Sequence, residues 1–173
     1  RVVLLGATRA ELGGSEWAGL HGLTRGTPPR ADLEAGAALH DVVRALVRDR
    51  LVDGVHDCSD GGLAVALAEM AIRGEVGFEV ELEFGPDALA ERFAQSVHWF
   101  SESASRVVVS VPAERVDQVL ERAQARGVAA HDLGVAGGER LVAEGAFVVP
   151  LADATRAWRD AIPSRLGVDV ATR

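Results

Sequence analysis

The chain has 173 residues and a formal net charge of −8; 48% of its residues are hydrophobic and 25% are charged. This composition supports one folded domain with a hydrophobic core and excludes a disordered segment. The acidic balance excludes a basic nucleic-acid-binding surface, no apolar run is long enough to span a membrane, and we expect a soluble cytoplasmic protein.

In the first half of the chain, the sequence predicts strands that alternate with helices. In chain order these are a strand at 2–5, a short helix at 17–20, a helix after 32, a strand at 51–56 and a helix at 63–72. Asp32 is placed to cap the second helix, whose apolar stripe runs over 39–47, and Gly74 lies near the end of the third.

The second half is richer in strands. In chain order it predicts a strand at 78–84, a helix at 86–95, a strand at 106–111, a helix at 116–123, strands at 128–135, 140–143 and 146–149, and a helix at 151–161. Glu79, Glu81 and Glu83 alternate with apolar residues, which predicts one solvent-exposed acidic strand face. Short glycine-rich turns favour antiparallel pairing of the last strands, and Trp158 is the expected anchor of the last helix.

These elements predict an α/β (α+β) fold, a mixed sheet with helices packed on it. We expect a single domain over 1–162 and a tail over 163–173. The chain begins with Arg1 and not with methionine, which suggests a part of a longer polypeptide.

The strongest local signal is the segment 56–63, which joins a strand end to a helix start. Ser59 or Asp60 can cap the helix, and Gly61 and Gly62 leave backbone N–H groups uncovered at its positive end, where phosphate binds readily. Asp57 is a candidate ligand for a Mg²⁺ ion that bridges nucleotide phosphates. A plain capped helix, with glycines for close packing, explains the same pattern.

The segment 11–16 carries Gly13, Gly14 and Ser15. Two glycines followed by a hydroxyl can wrap a phosphate. Alternatively, the segment is a structural turn in which Ser15 caps a short helix.

The third segment, 100–106, leads into a strand. Arg106 can hold an anion with two hydrogen bonds, or it can pair with Glu102 in a buried ion pair that orders the loop.

Cys58, the only cysteine, excludes an internal disulfide and a CxxC metal site. A nucleophilic role would need a base, for which His56 is the nearest candidate. A small buried residue is the simpler interpretation. A transition-metal site formed by His56, Asp57, Cys58 and Asp60 is disfavoured because adjacent strand residues point to opposite faces.

Taken together, the segments 5–16, 56–71 and 100–111 resemble, in order and spacing, the last domain of formylglycinamide ribonucleotide amidotransferase (phosphoribosylformylglycinamidine synthase). The resemblance implies a three-layer α/β/α fold like the C-terminal domain of aminoimidazole ribonucleotide synthetase. It also implies a part in an ATP-dependent C–N ligase of purine biosynthesis. That enzyme converts formylglycinamide ribonucleotide to its amidine with ammonia from glutamine.

By the same resemblance, Asp57 would be a Mg²⁺ ligand and Ser59 a contact of ATP or ADP. The resemblance leaves open whether this pocket is a catalytic or an auxiliary nucleotide site. No catalytic residue is expected in this chain, and Cys58 would not be the glutaminase nucleophile. The implied partners are the remaining synthetase domains and a glutaminase domain or subunit, so the chain should be inactive alone.

Two alternatives stay open. The domain is a non-catalytic scaffold that holds a structural nucleotide or none, or the chain belongs to a relative such as aminoimidazole ribonucleotide synthetase or selenophosphate synthetase. The absence of lysine disfavours an autonomous kinase, because phosphoryl transfer usually needs a cationic clamp.

Overall fold

The computed structural model describes residues 1–82 and 91–167, and for 91–94 the backbone alone. Within them, the strands are β1 (Val2–Leu5), β2 (Gly54–Asp57), β3 (Phe78–Val80), β4 (Val107–Ser110), β5 (Ala130–Ala136), β6 (Arg140–Ala143) and β7 (Phe147–Pro150). The helices are α1 (Glu16–Leu20), α2 (Leu33–Arg48), α3 (Gly62–Gly74), α4 (Glu91–Phe100), α5 (Val116–Gln124) and α6 (Leu151–Arg165).

The strands form one mixed sheet in the order β2-β4-β1-β5-β3-β6-β7. All neighbours are antiparallel except β3 and β6, which run parallel. We predicted antiparallel pairing among the last strands. This is confirmed for β6 and β7, but it is wrong for β5 and β6, because β3, which precedes both in sequence, lies between them.

Both faces of the sheet are covered, since all four residues of β1 are buried and alternate between two cores. Val2 and Leu4 face the core that contains α3, whereas Val3 and Leu5 face the core that contains α2 and α5. The predicted mixed sheet with helices on it is therefore confirmed, with three layers.

The end of the chain differs from the sequence prediction. Helix α6 continues through Pro163 to Arg165, past its predicted end at 161. Trp158 is 49% exposed, so its assignment as the anchor is wrong; Leu151 and Ala154 pack against the core instead.

The fourth helix is described from Glu91 and ends later than predicted, at Phe100. Residues 86–90 of that prediction, and residues 83 and 84 of the preceding strand, lie outside the described residues. Among the helices of the described part, none is long and apolar enough to cross a membrane.

Candidate functional site

The end of strand β2 presents an exposed carboxylate. In the described part of the sheet, strand β2 lies at the edge and pairs with β4, and after Asp57 the chain turns towards α3. The Asp57 side chain is 71% exposed, and its Oδ2 accepts a hydrogen bond from the Ser59 hydroxyl. This hydrogen bond lowers the pKa of Asp57 below the ordinary value of an aspartate. Asp57 is thus an ionised carboxylate that faces solvent.

The start of α3 is organised by backbone contacts. Gly61 is the N-cap in the left-handed conformation (φ 78°), and no side chain caps the helix, so the predicted caps Ser59 and Asp60 are wrong. The N–H of Gly62 donates to Ser59 O at 2.9 Å. A Cβ on Gly62 would lie 2.5 Å from Ser101 O, so this glycine allows α3 to pack closely against the loop after α4.

The N–H of Gly61 also has a protein acceptor. It donates to Glu102 Oε1 at 2.8 Å, and the same oxygen accepts from the N–H of Glu16 at 2.9 Å. Glu102 therefore links the start of α3 to the start of α1. The phosphate contacts predicted for Gly61 and Gly62 stay predictions, and both N–H groups already have partners.

The segment 11–16 joins the same cluster. Glu11 N donates to the Ser101 hydroxyl at 3.2 Å, and Glu11 Oε1 accepts from Arg30 N at 3.0 Å. The other oxygen, Oε2, is buried without a hydrogen-bond partner. The three segments predicted to carry chemistry are thus in contact, which their separation in sequence could not establish.

Ser15 is buried and caps α1. Its hydroxyl donates to Leu12 O at 2.7 Å and accepts from Ala18 N at 3.2 Å, which confirms the alternative interpretation of this segment as a capped turn. A Cβ on Gly13 would lie 2.5 Å from Thr27 O, whereas at Gly14 (φ 75°) it would meet nothing within 4 Å. Phosphate contacts from Gly13, Gly14 and Ser15 stay predictions, and Gly14 alone of these has open space beside it.

Arg106 is buried, with 2% of its surface exposed. Its guanidinium donates to Ser103 O at 3.3 Å, to Thr8 Oγ1 at 3.0 Å and to Ser101 O. Burial lowers the pKa of Arg106. The predicted pairing of Arg106 with Glu102 is wrong, since Glu102 binds backbone N–H groups, and all three guanidinium nitrogens already donate to protein atoms.

Cys58 is buried, and burial raises the pKa of its thiol to about 11. A thiol with so high a pKa is a poor nucleophile at neutral pH, which supports the structural interpretation. His56 bonds instead to Glu69, with Nε2 and Oε2 2.8 Å apart. No group of three or more His, Cys, Asp or Glu side chains within the described residues is arranged to hold a metal ion.

A Mg²⁺ ion here would therefore draw one ligand from Asp57 and the others from water, from phosphate or from another domain. Such an arrangement is ordinary for Mg²⁺, which keeps several waters and commonly uses one or two carboxylates. The solvent-facing Asp57 fits this role.

The sequence prediction missed the hydrogen bond that Thr8 accepts from Arg106, and it paired Glu102 with the wrong group. A carboxylate favours the N–H groups at helix starts, but the sequence does not place Glu102 beside one. Only the fold shows that α1 and α3 start on either side of it.

Comparisons with known proteins agree with this fold. The model of the family "AIR synthase related protein, C-terminal domain" matches residues 1–145. A Nocardioides protein named phosphoribosylformylglycinamidine synthase subunit PurL is 47% identical over 168 residues, which are 96% of this chain and 21% of that protein. The chain thus spans about a fifth of the length of this relative.

Two solved structures of a Thermotoga maritima protein share the fold. One, described as PurL complexed with FGAR, has a TM-score of 0.70 and 21% identity, covering 89% of this chain and 27% of that one. The other, described as complexed with ATP, has a TM-score of 0.67 and 20% identity, covering 89% and 25%. The resemblance carried by the three sequence segments is thereby confirmed.

Proposed function

Because the chain belongs to the family of AIR synthase related protein C-terminal domains, we infer that it works as one domain of a larger ATP-dependent ligase. The proposed enzyme is a phosphoribosylformylglycinamidine synthase. It converts formylglycinamide ribonucleotide, ATP and ammonia from glutamine to formylglycinamidine ribonucleotide, ADP and phosphate in purine biosynthesis. The observation that carries the proposal is the 47% identity to a protein of that name over 96% of the chain.

The ligands fit the same proposal. The two structures of the Thermotoga protein, one described as complexed with FGAR and the other with ATP, share this fold. In this chain, Asp57 would hold a Mg²⁺ ion and Ser59 would contact the nucleotide. The ion would neutralise phosphate charge, while the Ser59 hydroxyl keeps Asp57 ionised and oriented.

The chain supplies only part of such a site. Glu102 Oε1 and the three guanidinium nitrogens of Arg106 already bond to atoms within the domain. Catalytic groups would come from the remaining synthetase domains, and ammonia from a glutaminase domain or subunit, in the cytoplasm. We therefore expect no turnover of formylglycinamide ribonucleotide by this chain alone.

Calorimetry with Mg-ADP tests the metal assignment. The chain would be measured alone and fused behind the preceding domains of the Nocardioides relative. Each of these two proteins would be measured as the wild type and as Asp57→Asn. Binding is expected only in the fused protein and is expected to weaken at least tenfold in Asp57→Asn. Asp53→Asn, an exposed aspartate just before the same strand, is the matched control. Unchanged affinity of the Asp57→Asn fusion would show that the metal assignment is wrong.

A second candidate is a scaffold domain that holds a structural nucleotide or none. The internal partners of Gly61 and Gly62 favour it, because they leave no free donor on those two residues. Steady-state assays of the fused protein separate the two functions. A catalytic role predicts loss of kcat in Asp57→Asn, whereas a scaffold predicts unchanged kcat with a lower unfolding temperature.

A further inference from the structure

The N–H group of Gly61 at the start of α3 donates to a side chain of the protein itself, Glu102. We propose that Glu102 is a built-in anion: its carboxylate occupies the position that a bound phosphate would take at the N-terminus of α3, and it positions the loop 57–61 against the loop 101–103.

The geometry of a single oxygen carries this proposal. Glu102 Oε1 accepts from Gly61 N at 2.8 Å and from Glu16 N at 2.9 Å. Both distances are those of charge-assisted hydrogen bonds between a carboxylate and backbone N–H groups. Helix α3 has thirteen residues, and its partial positive charge at this end stabilises a carboxylate.

The loop that carries Glu102 is fixed on both sides. The Ser101 hydroxyl accepts from Glu11 N at 3.2 Å, and the Ser103 hydroxyl accepts from Arg9 N at 3.0 Å and donates to Arg9 O at 3.2 Å. Both serines are buried. Glu102 is thus held in place before any ligand arrives.

An external phosphate at this point would have to displace Glu102. It would gain no donor from Gly62, whose N–H binds Ser59 O and where an added Cβ would lie 2.5 Å from Ser101 O. A ligand phosphate at this corner is therefore limited to the side of Asp57 and Ser59. Glu102 acts as a positioning residue, because it fixes the turn that follows these two residues without contacting the ligand.

This inference concerns the same corner as the proposed function but rests on contacts within this chain. Its test uses the chain alone with simple anions. Failure of the Mg-ADP experiment would leave it standing, and its own failure would leave the Asp57 assignment standing.

Chemical rescue is the first test. Glu102→Ala removes the acceptor and is expected to lower the unfolding temperature by roughly 4–8 °C. Formate should restore part of this loss in Glu102→Ala and none in the wild type, because a small carboxylate can take the vacated position. Glu102→Gln keeps an acceptor oxygen. Its unfolding temperature should lie between those of the wild type and Glu102→Ala, and formate should not raise it. Glu114→Ala, at an exposed glutamate, is the control.

Amide resonances give the second test, whose wild-type and Glu102→Gln measurements hold even if Glu102→Ala folds poorly. Inorganic phosphate should leave the Gly61 amide unshifted in the wild type and in Glu102→Gln, and should shift it in Glu102→Ala. The proposal is overturned if phosphate shifts Gly61 in the wild type. It is equally overturned if Glu102→Ala unfolds at the wild-type temperature, or if formate stabilises all variants alike.

Discussion

Arg106 donates a hydrogen bond from its guanidinium to Thr8 Oγ1 at 3.0 Å, and so ties the residue before β4 to the loop after β1. The two residues are 98 positions apart. Through Ser101 and Ser103 the same guanidinium also holds the loop that carries Glu102.

We expect Arg106→Met to destabilise the domain by about 3 kcal/mol or more, because three acceptors lose a buried charged donor. Urea unfolding followed by circular dichroism measures the loss. Arg126→Met is the control, since Arg126 is exposed and lies 3.8 Å from Asp41 in a weak surface ion pair. Equal midpoints for the two variants would contradict the role of Arg106.

Gly62→Ala should cost clearly more than Gly22→Ala. Both glycines have a positive φ (66° and 67°), so both substitutions carry a backbone penalty of roughly 1–2 kcal/mol. Only at Gly62 would the new Cβ also approach a backbone oxygen, Ser101 O, at 2.5 Å; at Gly22 it would meet nothing within 4 Å. Thermal unfolding of both variants checks the difference, and similar losses would show that close packing does not explain Gly62.

The stability of the chain should fall as the pH rises from 9 to 11. Burial raises the pKa of Cys58 from 9.0 to about 11, so the folded state retains a proton that the unfolded state releases. This stabilisation is complete below pH 9 and is lost as pH rises through 11. At pH 11 the free energy of unfolding should be lower by roughly 2 kcal/mol than below pH 9. The chain contains neither tyrosine nor lysine, the other side chains that ordinarily titrate in this range.

Urea unfolding at a series of pH values measures this dependence, with Cys58→Ala as the control that should lack it. Ellman's reagent should also react slowly with the folded wild type at pH 8 and rapidly after unfolding. A fast reaction in the folded state would contradict the buried thiol.

Ser59→Ala should raise the pKa of Asp57 towards the ordinary value of an aspartate. The Ser59 hydroxyl is the largest cause of the lowered pKa, since it donates to the ionised carboxylate. NMR titration of the Asp57 carboxyl carbon measures the change, and Ser59→Thr, which keeps a hydroxyl, should change it little. An unaltered pKa in Ser59→Ala would show that Ser59 does not orient Asp57.

Local patterns predicted much of this fold. The run at 2–5 and the caps Asp32 and Ser15 are as the sequence indicates, because strand periodicity and capping depend on neighbouring residues. The place of β3 between β5 and β6 depends on contacts between distant residues, which no local pattern encodes.

The candidate site shows the same division. The sequence identified the three segments and predicted that Asp57 ends a strand, as the structure shows. It could not show that Glu102 reaches Gly61, because that bond spans 41 positions. Glycine, serine and acidic residues suit both an anion site and its internal substitute, so their pattern alone does not distinguish the two.

The insertion of β3 has a consequence for synthesis on the ribosome. Phe78–Val80 pairs with 134–136 on one side and 141–143 on the other, so both of its edges stay open until those residues leave the exit tunnel. A nascent chain that stalled between β3 and β5 would expose an unpaired strand. Phe78 and Val80, which are buried in the folded domain, would then be accessible to non-native pairing. We expect chaperone binding during translation to peak over that interval.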